Sequence, residues 1–236
     1  MKTLDNDHNR GANVIDFFTG KPVNVCDERR FIRLAPELDG LEMLYSNDAS
    51  PDKLFSLKIL CWGLRGDGEV VGLVPWLSDI VACIDIKDPL NGQWEGYYDP
   101  GVDEVFYDAP IHKIVELETA AEYYDYEAAE LSQEYSLQEI PDTIGTHAVL
   151  ADKRYENIAL TEVISWRLYA DGSIGAMVAD EDAVECTPVL PGDECLYQVQ
   201  SRNEFRYFFQ HQIANRIKAQ DPEALAAISV LVEEPR

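Results

Sequence analysis

The chain has 236 residues, 46% of them hydrophobic, and carries 44 acids against 19 bases for a formal charge of −25. That length allows one large domain or two of ordinary size, and the composition is that of a chain that builds a core, not of a disordered one. Such a negative field opposes wrapping a phosphate backbone or docking on an anionic bilayer, so neither nucleic-acid nor membrane binding is expected, whereas a basic protein or a small molecule is an admissible partner.

No run approaches the ~18 apolar residues that a bilayer crossing needs. The N-terminus has no continuous apolar segment of the secretory kind, and the cytoplasm is the expected compartment. Five cysteines at wide spacings, with no C-x-x-C pair, read as free thiols in a reducing compartment.

Taken along the chain, residues 1–27 form a polar arm with one apolar segment, "VIDFF". "LFSLKILCWGL" from Leu54 and "EVVGLVPWL" from Glu69 read as strands joined at Asp67-Gly68. Asp-Gly between apolar runs is a hairpin signal, expected as a type I′ turn with positive φ at both central positions. Short strands are expected at 80–86 and 93–98. "IHKIVELETAAEYYDYEAAELSQE" from Ile111 is expected to begin as a strand and continue as an acidic helix or linker.

The pattern then recurs. "SWRLYADGSIGAMV" (165–178) matches "CWGLRGDGEVVGLV" (61–74), with Trp166 against Trp62 and Asp171-Gly172 against Asp67-Gly68. Upstream, Pro141 and Gly145 match Pro36 and Gly40; downstream, Cys186 is set against Cys83. Five matches in register point to a tandem duplication, with 28–131 as the first repeat and 132–236 as the second. In the second copy, Leu160, Ile164, Trp166 and Leu168 share one face of a half-buried strand on which Glu162 is the misfit. Further strands are expected at 183–189 and 195–200. Phe205, Phe209, Ile213 and Ile217 recur every fourth residue and predict an amphipathic helix, with a second starting at Pro222. The expected fold is therefore α+β: two similar β-rich halves of hairpins and meanders, each about 100 residues and followed by helix, packed about a pseudo-twofold.

Functional motifs are sparse. Arg65-Gly66-Asp67 has the letters of an adhesion motif, but the second copy keeps the turn and not the tripeptide. Gly66, Gly68 and Gly72 are spaced one residue too long for a dinucleotide fingerprint, and a strand follows them where a helix is required. No cofactor or metal-ligand motif is present, and neither is expected. Glu104, Tyr107 and His112 run in the same order as Glu204, Tyr207 and His211, at offsets of 99 or 100. A carboxylate and an imidazole repeated in both copies suggest a ligand-binding set. Trp94, Tyr97 and Tyr98, with the acid-flanked Tyr123, Tyr124 and Tyr126, suggest a partner surface. Arg202, Arg206, Arg216 and Lys218 make the one basic cluster, expected to pack against the molecule's own acids. The function expected first is that of a soluble, acidic, non-enzymatic binding or regulatory protein. The alternatives are an enzyme with a small-molecule or divalent-metal site between the repeats, and a protein whose carboxylates mimic nucleic-acid charge.

Overall fold

The computed structural model describes residues 14–15, 22–23, 29–48, 51–89, 92–122, 136–154, 156–179 and 196–210. A short ribbon, β1 (Val14–Ile15) and β2 (Pro22–Val23), precedes β3 (Phe31–Pro36), β4 (Glu42–Ser46), β5 (Phe55–Lys58), β6 (Cys61–Arg65), β7 (Val70–Trp76) and β8 (Asp79–Ala82). A 3₁₀ turn at Cys83–Asp85 leads to β9 (Lys87–Asp88), β10 (Gly92–Asp99), β11 (Glu104–Phe106) and helix α1 (Ile111–Glu122). The second copy supplies β12 (Ser136–Pro141), β13 (His147–Ala151), β14 (Ile158–Glu162), β15 (Ser165–Tyr169), β16 (Ile174–Ala179) and β17 (Leu196–Gln198). A 3₁₀ turn at Val199–Ser201 then leads to β18 (Phe205–Phe209).

These strands form four small antiparallel sheets in a propeller-like ring: β3-β6-β7-β8, β11-β10-β4-β5, β12-β15-β16-β17 and β14-β13-β18. The protein is thus mostly β, and the α+β expectation fails. Each copy contributes two sheets to a shared ring, which replaces the expected pair of sheet-plus-helix halves about a pseudo-twofold. Among the described residues α1 is the one α-helix, and it begins where a strand was expected. Its Leu117 and Lys113 lie on one buried face, and the Lys113 ammonium donates to the Pro36 carbonyl at 3.0 Å. Arg33 donates to the Ala120 carbonyl at the other end, satisfying one of the carbonyls a helix terminus leaves open.

The expected helix from Phe205 is instead strand β18, paired with β13. A spacing of four puts Phe205 and Phe209 on one face of a strand as well as of a helix, so the pattern could not discriminate. Burial decides it, because Phe208 and Phe209 face two different cores. The continuation of that helix, the one at Pro222, and the strand at 183–189 lie outside the described residues. Glu162 is no misfit: β14 ends there, and the chain crosses to another sheet before β15 begins, so the alternation had joined two strands into one.

Local geometry recurs in both copies. Bulges interrupt β3 at Phe31/Arg33 and β12 at Ser136/Gln138, and likewise the β4–β10 and β13–β18 ladders. Trp62 donates its indole N–H to Glu37 at 2.6 Å; Trp166 donates to Asp142 at 2.9 Å. Each carboxylate's other oxygen takes backbone amides of the turn that follows Pro36 or Pro141. Gly40 (φ 79°) and Gly145 (φ 71°) close those turns in the left-handed region. Trp62 meets Tyr97 edge-on at 4.9 Å, and Trp166 meets Phe208 at 5.1 Å. The Tyr97 hydroxyl also accepts the Gly72 amide at 3.0 Å. Phe208 has no hydroxyl, and Gln200 takes the matching amide of Ala176 at 2.8 Å.

Two sequence alignments change. Ala82 and Gln198 occupy the same place in their ladders, so Cys83 corresponds to Val199, both opening a 3₁₀ turn, and not to Cys186. The Asp-Gly hairpins are not type I′. Gly68 and Gly172 are left-handed but Asp67 and Asp171 are not, and the Arg65 and Tyr169 carbonyls accept the glycine amides. These are three-residue loops ending in a left-handed glycine.

Sheet β3-β6-β7-β8 sets the position of everything else. One face gives Ala35, Trp62, Leu64 and Val74 to a core shared with β4 and β10; Val149 and Phe209 of the second copy also enter that core. The opposite face gives Leu34, Cys61, Val71 and Leu73 to a second core around Trp166 and Phe208.

Candidate functional site

Among the described residues, those singled out from the sequence are spread over more than one place. Arg65 is 5% exposed, ion-paired with Glu69 at 2.7 Å and with Asp85, and its guanidinium lies over the Phe31 ring. Its tripeptide is a structural turn that presents no arginine. Tyr97 is a core residue whose phenol burial pushes far above the ordinary range. Trp94 packs edge-on against both Tyr97 and Tyr107. Tyr98, also expected on a partner surface, reaches solvent with a hydroxyl that donates to Asp103 at 2.8 Å. Tyr123, Tyr124, Tyr126, Arg216, Lys218 and His211 lie outside the described residues, as does Cys186. Arg202 stacks on Tyr197, and Arg206 caps the carbonyls of Asn203 and Phe205.

Glu104 and Glu204 are not equivalents. The β18 register matches Phe205 to Trp94, which sets Glu204 against Gln93 and Tyr207 against Gly96. Glu204 lines a groove of about 440 Å³ together with Leu150, Asp152, Asn157 and Ile158. The Asp152 carboxylate there is occupied by the amides of Arg154 and Glu156 and the side chain of Asn157. Cys61 and Cys83 are buried, and burial pushes both thiols up and away from nucleophilic use.

Glu104 and His112 do share a groove, a second one of about 530 Å³ lined also by Asp39, Leu41, Asp99, Phe106 and Pro110. Three elements build it. The turn after Pro36 supplies Asp39 and Leu41, the β10–β11 hairpin supplies Asp99, Glu104 and Phe106, and the first turn of α1 supplies His112. The His112 Nε2 lies 3.0 Å from Asp39. Asp99 and Glu104 stand directly opposite each other in the β10–β11 ladder, a like-charge pairing that costs stability. Leu41, Phe106 and Pro110 give the groove an apolar floor.

Leu38, 71% exposed, and Ile111, 73% exposed, are the chain neighbours of the groove residues Asp39 and His112, whereas Val105 lies between Glu104 and Phe106 on β11 and so faces the other side of the strand. The wall that carries Asp39 is rigid. Besides the Glu37 clamp, Lys113 holds the Pro36 carbonyl, and Thr143 of the second copy donates to the Glu37 carbonyl at 3.3 Å. Among the described residues no three His, Cys, Asp or Glu side chains converge on a metal position.

Asp39 and Asp99 were missed in the sequence. For Asp39 a signal exists in a difference between the copies: Leu38-Asp39 stand where the second copy has Thr143-Ile144 in an otherwise shared turn. No protein-family model, curated protein or solved structure matches the chain.

Proposed function

We propose that the protein is a non-enzymatic binding protein that docks a partner protein on the groove between the turn at 37–41, strand β11 and the start of α1. The observation that carries this reading is the exposure of Leu38 and Ile111, next in the chain to the groove residues Asp39 and His112, beside an apolar floor of Leu41, Phe106 and Pro110. Large apolar side chains scattered singly are ordinary on a surface, but exposed ones beside a concave apolar floor favour an interaction surface. The rigid wall favours docking, since less ordering is lost on association.

The enzyme alternative loses its basis in the repeated set, because Glu104 and Glu204 line different grooves. The docking reading is tested by placing a photo-crosslinking amino acid at 38 or 111 in cells that express the full chain. The expected result is one discrete adduct common to the two positions and absent from a control at Asp67. A diffuse smear, or no adduct at either position, removes the reading.

A further inference from the structure

We propose that the second copy binds one internal water molecule where β13 and β18 end, between the Thr146 hydroxyl and the Gln210 carboxamide. Thr146 is fully buried and Gln210 is 5% exposed. Thr146 Oγ1, Gln210 Oε1 and Gln210 Nε2 are all shielded from solvent, and among the described residues none of the three has a hydrogen-bond partner. Such atoms are rare in folded proteins, because the hydration lost on burial is not returned. Here they come from two side chains that the register sets side by side. The last rungs of the β13–β18 ladder are Ala148 against Phe208 and His147 against Phe209. One rung further, Thr146 stands against Gln210. Side chains alternate along a strand, so these two point the same way as Ala148 and Phe208, into the core around Trp166. Phe208 donates its amide away from β13, to the Leu77 carbonyl at 2.7 Å. Its rung is therefore one without backbone bonds between the strands. The rung two residues on is of the same kind, in which opposed side chains come closest.

The groups present select the guest. The Asp142 carboxylate, which holds the Thr146 amide, also takes the Gly145 amide and the Trp166 indole N–H, so it is already engaged three times. An anion finds no countercharge among these groups. A metal cation has no use for the carboxamide N–H. Water offers two donors and two acceptors, which match a hydroxyl, an amide oxygen and an amide N–H. The first copy treats the same place differently. Its counterparts of Thr146 and Gln210 are Leu41 and Asp99, and both line the groove of about 530 Å³. A charged carboxylate stands in the groove, whereas a neutral carboxamide stands where the chain closes over it, as the far higher cost of burying a charge requires.

Water–protein NOE and ROE spectra of the full chain test the site directly. A cross-peak from water to the Gln210 side-chain amide protons is expected, with the sign of a water that tumbles with the protein. It is expected to vanish in the double variant Thr146→Val, Gln210→Met, which nearly keeps the volumes and removes all three polar atoms. Melting temperature gives an independent reading whose sign decides. With a dry hydroxyl, the near-isosteric Thr146→Val removes an unpaired polar group and raises the melting temperature. With a bridging water, the same change takes away a partner and lowers it, by about 2–4 °C for a chain of this length. Adding Gln210→Met is then expected to recover part of that loss. A missing cross-peak in the unmodified protein, or a melting temperature unmoved or raised by Thr146→Val, would overturn the proposal. The cross-peak needs no variant, so it decides the matter even where a substitution prevents folding.

Discussion

Replacing Glu37 by alanine probes the clamp that recurs in both copies. Glu37 is buried, and one carboxylate oxygen accepts the indole N–H of Trp62, itself fully buried. The other takes the amides of Asp39 and Leu41. Asp39 is exposed and its amide can find water, but the Trp62 indole and the Leu41 amide cannot. Each buried donor left without a partner costs ~1–3 kcal/mol. The two together predict a loss of about 2–6 kcal/mol, a large part of the ~5–15 kcal/mol that holds a domain. Urea unfolding of the full chain measures it, and a fall in melting temperature on the order of 10 °C should accompany it. Glu37→Gln keeps one acceptor and most of the volume, and should lose less than half as much. In a Trp62→Phe background the cost of Glu37→Ala should shrink by the indole's share, ~1–3 kcal/mol. Strict additivity of the two substitutions, or a single-variant loss below about 1 kcal/mol, would refute the orphaned-donor reasoning.

Further outcomes can be checked alongside. Gly72→Ala places a Cβ 2.8 Å from the ring of the fully buried Tyr97, and should cost ~1–3 kcal/mol in the same urea assay as the ring is displaced. Cys61 and Cys83 should resist iodoacetamide in the folded protein and react once it is unfolded, as read by peptide mass mapping, because burial raises both thiols. Burial works against ionisation of Glu139, but hydrogen bonds from Ser165 and Arg167 outweigh it and hold the carboxyl below its ordinary value of about 4.5. A lowered folded value means that stability is present above pH 4.5 and lost as pH falls through the folded value. Glu139→Gln should therefore flatten the decline in stability as the pH falls below 4.5, followed by melting temperature.

What could be read without coordinates were the positions where backbone geometry dictates the residue. Pro36, Gly40, Trp62 and Gly68, with their partners Pro141, Gly145, Trp166 and Gly172, recur because turns and the tryptophan clamp tolerate few alternatives. The cysteine match failed because Cys83 is simply packing, and packing accepts Val199 in the same place. Helix and strand were confused at Phe205, where the spacing fits both and only tertiary burial separates them. Glu104 and His112 were named for a symmetry that the register does not support, yet they share a groove with each other. Asp99 was not legible, since its place beside Asp39 and His112 depends on three elements that only the ring brings together.

The sheet with two buried faces has a consequence for the molecule's history and handling. A duplicated chain suggests two modules that could be separated, but neither copy here keeps its own interior. The second core rests on Leu34, Cys61, Val71 and Leu73 from the first copy, and the first takes in Val149 and Phe209 from the second. Cutting the chain between 122 and 136 would strip apolar cover from both pieces at once. The halves are thus expected to depend on each other and to melt as one cooperative unit, and a substitution on β6 or β7 reaches the cores on both faces of their sheet.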